Sequence, residues 1–244
     1  MSISRKAFFV AGAVAGAVGS ATLASAAAAI SSQRPYAPVL LRGAYDYDAM
    51  MRVIGDAAPH KQLFLSDPGL LAAPGVAAVF MKMANAWNAY EFSLRPAPAR
   101  THLSVAAVLI AAPVIFALND AMWTKYRIGE IFDVTDRTGA IATSNPSRAA
   151  WGPLDLDAGP NDTNGLYHDY SSAALRARGA RFLVCHNAIS GISQRVVASS
   201  GVAHPDVVND WTANVLPGFT VVPAGGMAVQ LAQERGWRLY PITD

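Results

Sequence analysis

The stretch RFLVCHNAIS, residues 181–190, holds the single cysteine of this 244-residue chain. Cys185 stands at the end of an apolar run, with His186 and Asn187 beside it and a helix-forming stretch behind it. A thiol at the end of a strand, just before a helix begins, feels unpaired backbone N–H groups and the positive end of the helix dipole. Both favour thiolate over thiol, and the thiolate is the nucleophile of cysteine chemistry. The same residue type is also a small hydrophobe that packs well in cores. Both readings of Cys185 stay open on residue type and position. His186 assists only if its ring turns the right way, since neighbouring strand residues point to opposite faces.

A second stretch with chemical potential is PAGGM, residues 223–227, which follows a strand and opens a helix. Here Pro223, Gly225 and Gly226 let the backbone turn and present N–H groups to an anion. The spacing lacks the full dinucleotide fingerprint, so a plain strand-to-helix turn explains it equally well. Other candidates are weaker. DLDAGPND, residues 155–162, has the wrong spacing for an EF-hand and no closing glutamate. The five histidines, at 60, 102, 168, 186 and 204, form no metal-ligand spacing. Asp120 and Glu130 are single carboxylates at helix ends, positions that usually serve capping or solvation. No Gly-x-Ser-x-Gly elbow is present, so a hydrolase reading has no nucleophile motif. No metal and no bound cofactor are expected.

These residues need elements to position them. KQLFLS reads as a strand, and GVAAVFMKMANAWNAYEF as a helix with Val76, Val79, Phe80, Met83, Trp87 and Tyr90 on one core stripe. LSVAAVLI, residues 103–110, is a continuous apolar run suited to a strand buried on both faces. FALNDAMWTKYRIGE, residues 116–130, reads as a helix or two short turns, with Asn119 or Asp120 as cap. A hairpin is expected around Asp136–Gly139, then a long stretch rich in Pro, Gly, Asn and Asp. The insertion at 131–165 reads as a functional lid or an oligomer arm. Alternation then resumes: helix YSSAALRARG, strand ARFLVCHN, helix SGISQRVVASSG, strand GFTVVPAGG, helix MAVQLAQERG and strand WRLYPI. Strand–helix repeats with buried strands predict a three-layer α/β/α fold with a mostly parallel sheet of about five strands. Ligands in such sheets bind beyond the carboxyl ends of the strands, which is where Cys185 falls.

Ahead of this domain at 61–244 lies a spacer and arm at 27–60, with one short helix in AYDYDAMMRVIGDAAPH that Pro59 ends. Residues 1–26 read as an export signal: Arg5 and Lys6, a stretch rich in Ala and Gly, then Ala24-Ser25-Ala26 as a cleavage site. SRKAFF resembles a twin-arginine motif with lysine in the second position. The expected location is the periplasm, with no membrane attachment after cleavage. The signal holds two of the 19 basic residues and none of the 17 acidic ones, leaving 17 of each. That balance, with no basic run, excludes a nucleic-acid surface. A lone exported cysteine makes no internal disulfide.

LRARGARFLVCHNAISG, followed by VLPGFTVVPAGGMAVQLAQERGWRLYPI, resembles the DsrE/DsrF-like sulfur-relay superfamily. The resemblance covers residues 60–244 in order of elements and is most specific over 173–242. It implies a flavodoxin-like α/β/α fold, assembly into homo-trimers or hexamers, and no bound cofactor. It also implies sulfur carried as a cysteine persulfide between partner proteins, a sulfur donor or acceptor. By this resemblance Cys185 is the persulfide-bearing residue, with His186 and Asn187 orienting it and Asn119 and Gly225 lining the pocket. The better-known relay members hold their cysteine after an earlier strand, where this chain has AAPVIFALND instead. Two alternatives stay open: a non-catalytic oligomeric binding or assembly module with Cys185 in the core, and a small-ligand or anion binder at Pro223–Gly226.

Overall fold

The computed structural model describes residues 44–66, 69–94 and 103–241. The stretch read from sequence as an export signal, the expected spacer up to residue 43, and His102 lie outside these residues. The sheet has five strands: β1 His60–Leu65, β4 Leu103–Leu109, β5 Arg181–Cys185, β6 Phe219–Val222 and β7 Arg238–Pro241. Every neighbouring pair is parallel, and the order is β6-β5-β4-β1-β7. Two further short strands, β2 Leu71–Ala73 and β3 Val76–Ala77, form a small separate hairpin.

The two faces follow from side-chain alternation. In β4, Val105, Ala107 and Leu109 enter one core, while Ala106 and Val108 enter the other. In β5, Phe182 and Val184 divide from Leu183 in the same way. The larger core contains residues of α2 Ala78–Asn88, α5 Ser172–Ala177, α6 His186–Ser200 and α7 His204–Ala213. The smaller core contains Met50 and Ile54 of α1 Tyr47–Ile54 and Ala228, Val229 and Ala232 of α8 Gly225–Glu234. The three-layer α/β/α expectation is met. Its handedness explains the split. The chain steps in one direction from β1 through β4 and β5 to β6, so right-handed crossovers put those helices on one face. The last crossover runs back past three strands to β7 and puts α8 on the other face.

Several expected elements differ in detail. The first helix stops at Gly55, before Pro59. The stripe of α2 begins at Ala78, because Val76 belongs to β3 and Gly75 turns the hairpin with φ +70°. The 116–130 segment is broken into a 3₁₀ turn Ala112–Ala117, α3 Asp120–Lys125 and α4 Ile128–Phe132, with Arg127 in the left-handed region between the two helices. The hairpin at 136–139 is reduced to one bridge, Thr135 with Ile141. Helix α7, beginning HPDVV, has no counterpart in the sequence reading, which ran straight from α6 to β6.

The insertion is fastened to the body rather than extended from it. Asn145 donates from Nδ2 to the carbonyls of Phe116 and Leu118, at 2.9 and 2.8 Å. Ser147 Oγ accepts from Ala77 N at 3.2 Å. Behind the insertion, the buried Arg178 guanidinium meets Glu91 at 3.4 Å and lies 4.7 and 4.9 Å from the rings of Trp87 and Tyr167. Removing one partner of such a pair strands the other charge in the interior. Arg178→Ala is expected to lower stability by about 3–5 kcal/mol. The double variant with Glu91→Gln should recover part of that loss, both read from urea unfolding curves.

Candidate functional site

Cys185 ends β5 and is also the N-cap of α6. Its sulfur accepts a hydrogen bond from Ala188 N at 3.3 Å, the bond that Ser or Asp makes in an ordinary cap. Gly225 N, the first residue of α8, donates to the same sulfur at 3.1 Å. The thiol therefore sits between the amino ends of two helices that lie on opposite faces of the sheet. Cys185 and Val222 are register partners, so the two strand ends lie side by side. Adjacent strands whose following helices leave to opposite faces define the crevice of an open parallel sheet. Here that crevice lies between β5 and β6.

Gly225 makes this approach possible. A Cβ at Gly225 would stand 2.4 Å from Ile110 Cγ2 and 3.4 Å from Cys185 Cβ. Only a residue without a side chain lets the helix start come this close. Gly226, one residue on, has nothing within 4 Å of a built Cβ. Asn187 N donates to Pro223 O at 3.3 Å and ties the two turns together.

The other residues singled out from sequence take different places. His186 is half-buried, and its ring meets Tyr45 edge-on at 5.7 Å. Its Nδ1 is buried without a hydrogen-bond partner. Burial holds the imidazole below its ordinary pKa, so the ring is neutral at neutral pH. Burial is also the main reason the Tyr45 phenol is pushed up to about 12, with Tyr47 and Cys185 adding to it. The side chain of Asn187 is exposed. Asn119 is committed elsewhere: Oδ1 caps α3 by accepting from Met122 N, and Nδ2 donates to Asn214 Oδ1 at 2.9 Å. Asp120 pairs with Arg148 at 2.6 Å, and Glu130 pairs with Arg127.

A cavity of about 320 Å³ adjoins the thiol at the outer edge of β6. Tyr45 and Asp46 of the arm, His186, Thr212 and residues 219–221 line it. Cys185 lies one residue behind its wall, 6 % exposed. Three contributors were not found from sequence. Tyr45 comes from the arm and carries no motif. Ser66 Oγ accepts from Ile110 N at 2.9 Å and so ties the ends of β1 and β4. Ala111, next along the same turn, has φ +49°, a region that strains any residue with a side chain.

A Ser–His contact elsewhere does not make a nucleophile. Ser193 is fully buried, and His204 Nε2 lies 2.8 Å from Ser190 O, so that nitrogen donates to a carbonyl and offers no base to Ser193. Among the described residues no cluster of His, Cys, Asp or Glu is fit to hold a metal ion. None of their helices is long and apolar enough to cross a membrane. No protein-family model matches the chain, and no curated protein matches it significantly. What the site offers is one sulfur held by two backbone donors in a preorganised crevice, suited to stabilising negative charge that develops there.

Three outcomes follow. Gly225→Ala forces either α8 or the stiff, β-branched Ile110 to move and should cost about 1–3 kcal/mol in urea unfolding. Gly226→Ala should leave stability unchanged. His186, whose folded-state pKa is depressed, contributes stability that is present above the ordinary imidazole range. That contribution is lost as pH falls through this range, because the unfolded chain then binds the proton. His186→Asn should flatten the acid side of the stability–pH profile, measured by thermal melting from pH 8 to pH 5.

Proposed function

We propose that this chain is an exported, DsrE-like sulfur-handling protein that carries sulfur as a persulfide on Cys185. The observation that carries the reading is the pair of backbone N–H donors on the Cys185 sulfur, one from each of two helix starts. The resemblance of residues 173–242 to the sulfur-relay superfamily supports the same reading. In the transfer, the Cys185 thiolate attacks the outer sulfur of a donor persulfide, R–S–SH. The new S–S bond at Cys185 forms as the donor S–S bond breaks. The donor leaves as the thiolate R–S⁻, and the proton travels with the transferred sulfur. The exchange involves no net oxidation or reduction. Delivery to an acceptor thiolate is the same step in reverse. The location is the periplasm, and the partners are a sulfur donor or acceptor protein and further copies of this chain.

A second reading rests on a specific observation: Cys185 is only 6 % exposed, as a packing residue would be. In that reading the chain is a non-catalytic binding or assembly module. One experiment separates the two. The mature protein, incubated with polysulfide and analysed by intact mass, is expected to gain the mass of one sulfur atom at Cys185. Cys185→Ser should gain none while keeping the wild-type melting curve. A native protein whose thiol resists both polysulfide and iodoacetamide until urea unfolds it supports the packing reading instead.

A further inference from the structure

We propose that the insertion carries a separate binding site, a cavity of about 250 Å³ that takes a small carboxylate. Its wall includes Arg137, Trp151, Asn164, His168 and Asp169. The volume is below the roughly 300–1,000 Å³ of pockets for drug-sized ligands, so the occupant is a molecule of few heavy atoms.

Several wall residues are held in place before any ligand arrives. The Trp151 ring is edge-on to Tyr170 at 5.6 Å, and its backbone N–H donates to Asp169 Oδ2 at 2.6 Å. The Arg137 guanidinium lies 4.4 Å over the Trp151 ring. The His168 ring is fixed by Nε2, which donates to Pro160 O at 2.8 Å. A Cβ at Gly152 would come within 2.9 Å of Asn164 O, so the two loops meet closely.

The carboxylates in and near this wall already accept from backbone or side-chain donors. Asp169 spends its other oxygen on Ser171 N at 2.8 Å. The nearby Asp136 turns Oδ1 onto Thr138 and Ala140, and Asp162 turns Oδ1 onto Asn164 N. No ion pair joins Arg137 to a carboxylate among the described residues. A ligand that meets the Arg137 guanidinium must bring acceptors, because a guanidinium only donates. The Arg137 guanidinium lies over the Trp151 ring and is in no ion pair among the described residues, so its N–H fork is available to two coplanar oxygens, the geometry of a carboxylate. The site shares no residue with the Cys185 crevice.

Calorimetric titration of the purified mature protein with acetate, malonate and succinate tests this, with acetamide and inorganic phosphate alongside. Saturable binding of at least one carboxylate, and none of acetamide, is expected. Arg137→Gln should weaken that binding at least about tenfold with an unchanged melting temperature, since Arg137 is exposed. Arg137→Lys, which keeps the charge and loses the fork, should fall between the two. Cys185→Ser should bind as wild type. No saturable carboxylate binding, phosphate binding in place of the carboxylates, or wild-type affinity in Arg137→Gln would each overturn the proposal.

Discussion

The geometry at Cys185 depends on which way the chain turns after β6. Up to that strand every crossover runs in one direction, and the connecting helices share a face. The final crossover must reach β7 on the far edge, so α8 leaves towards the opposite face. At the ends of β5 and β6 the backbone therefore parts in two directions. The gap is filled by one sulfur atom that accepts from both helix starts. A bulkier residue at 225 would close the gap, and a residue at 185 without an acceptor would leave two N–H groups to seek water. The topology, the glycine and the cysteine form one arrangement.

That arrangement has a consequence for access. The donors that hold the sulfur also cover it, and the arm lays Tyr45 against His186 at the neighbouring cavity. A neutral imidazole and a protonated phenol place no charge of their own beside the sulfur. The hydrogen bonds to the sulfur come from two backbone N–H groups. Such dipoles are fixed by the fold and cost no reorganisation when charge develops. The strained turn at Ala111 and the Ser66–Ile110 bond stiffen the adjoining strand ends in the same way.

The insertion obeys a different logic. It has almost no regular backbone, so side chains satisfy what a sheet or helix would otherwise satisfy. Asn145 and Ser147 bond to main-chain groups of the body, and Asp169 caps two N–H groups within the insertion and just after it. Tyr167, whose ring lies against the Arg178 guanidinium, donates its hydroxyl to Leu156 O within the insertion. Such a segment is held to the body by contacts that hydrophobic periodicity does not record.

The strands and most helices were legible because burial imposes a period. LSVAAVL and RFLVC read as strands covered on both faces, and the α2 stripe reads as a helix. Helix α7 was missed because its buried residues, Val207 and Trp211, are too few to set up a stripe. Cys185 and Gly225 were both visible as candidates, but their meeting was not: they stand 40 residues apart, and nothing local brings them together. Asn119 was legible as a cap, and it is one, though not a pocket residue. The sequence by itself determined the layer architecture, the strand-end place of the thiol and the need for small residues after β6, since these follow from polarity and side-chain size along the chain. Only the tertiary structure decided that two helix starts converge on one sulfur, that the imidazole meets Tyr45, and that Arg137 lies over Trp151. Those contacts are set by crossover direction and long-range packing, which no local pattern encodes.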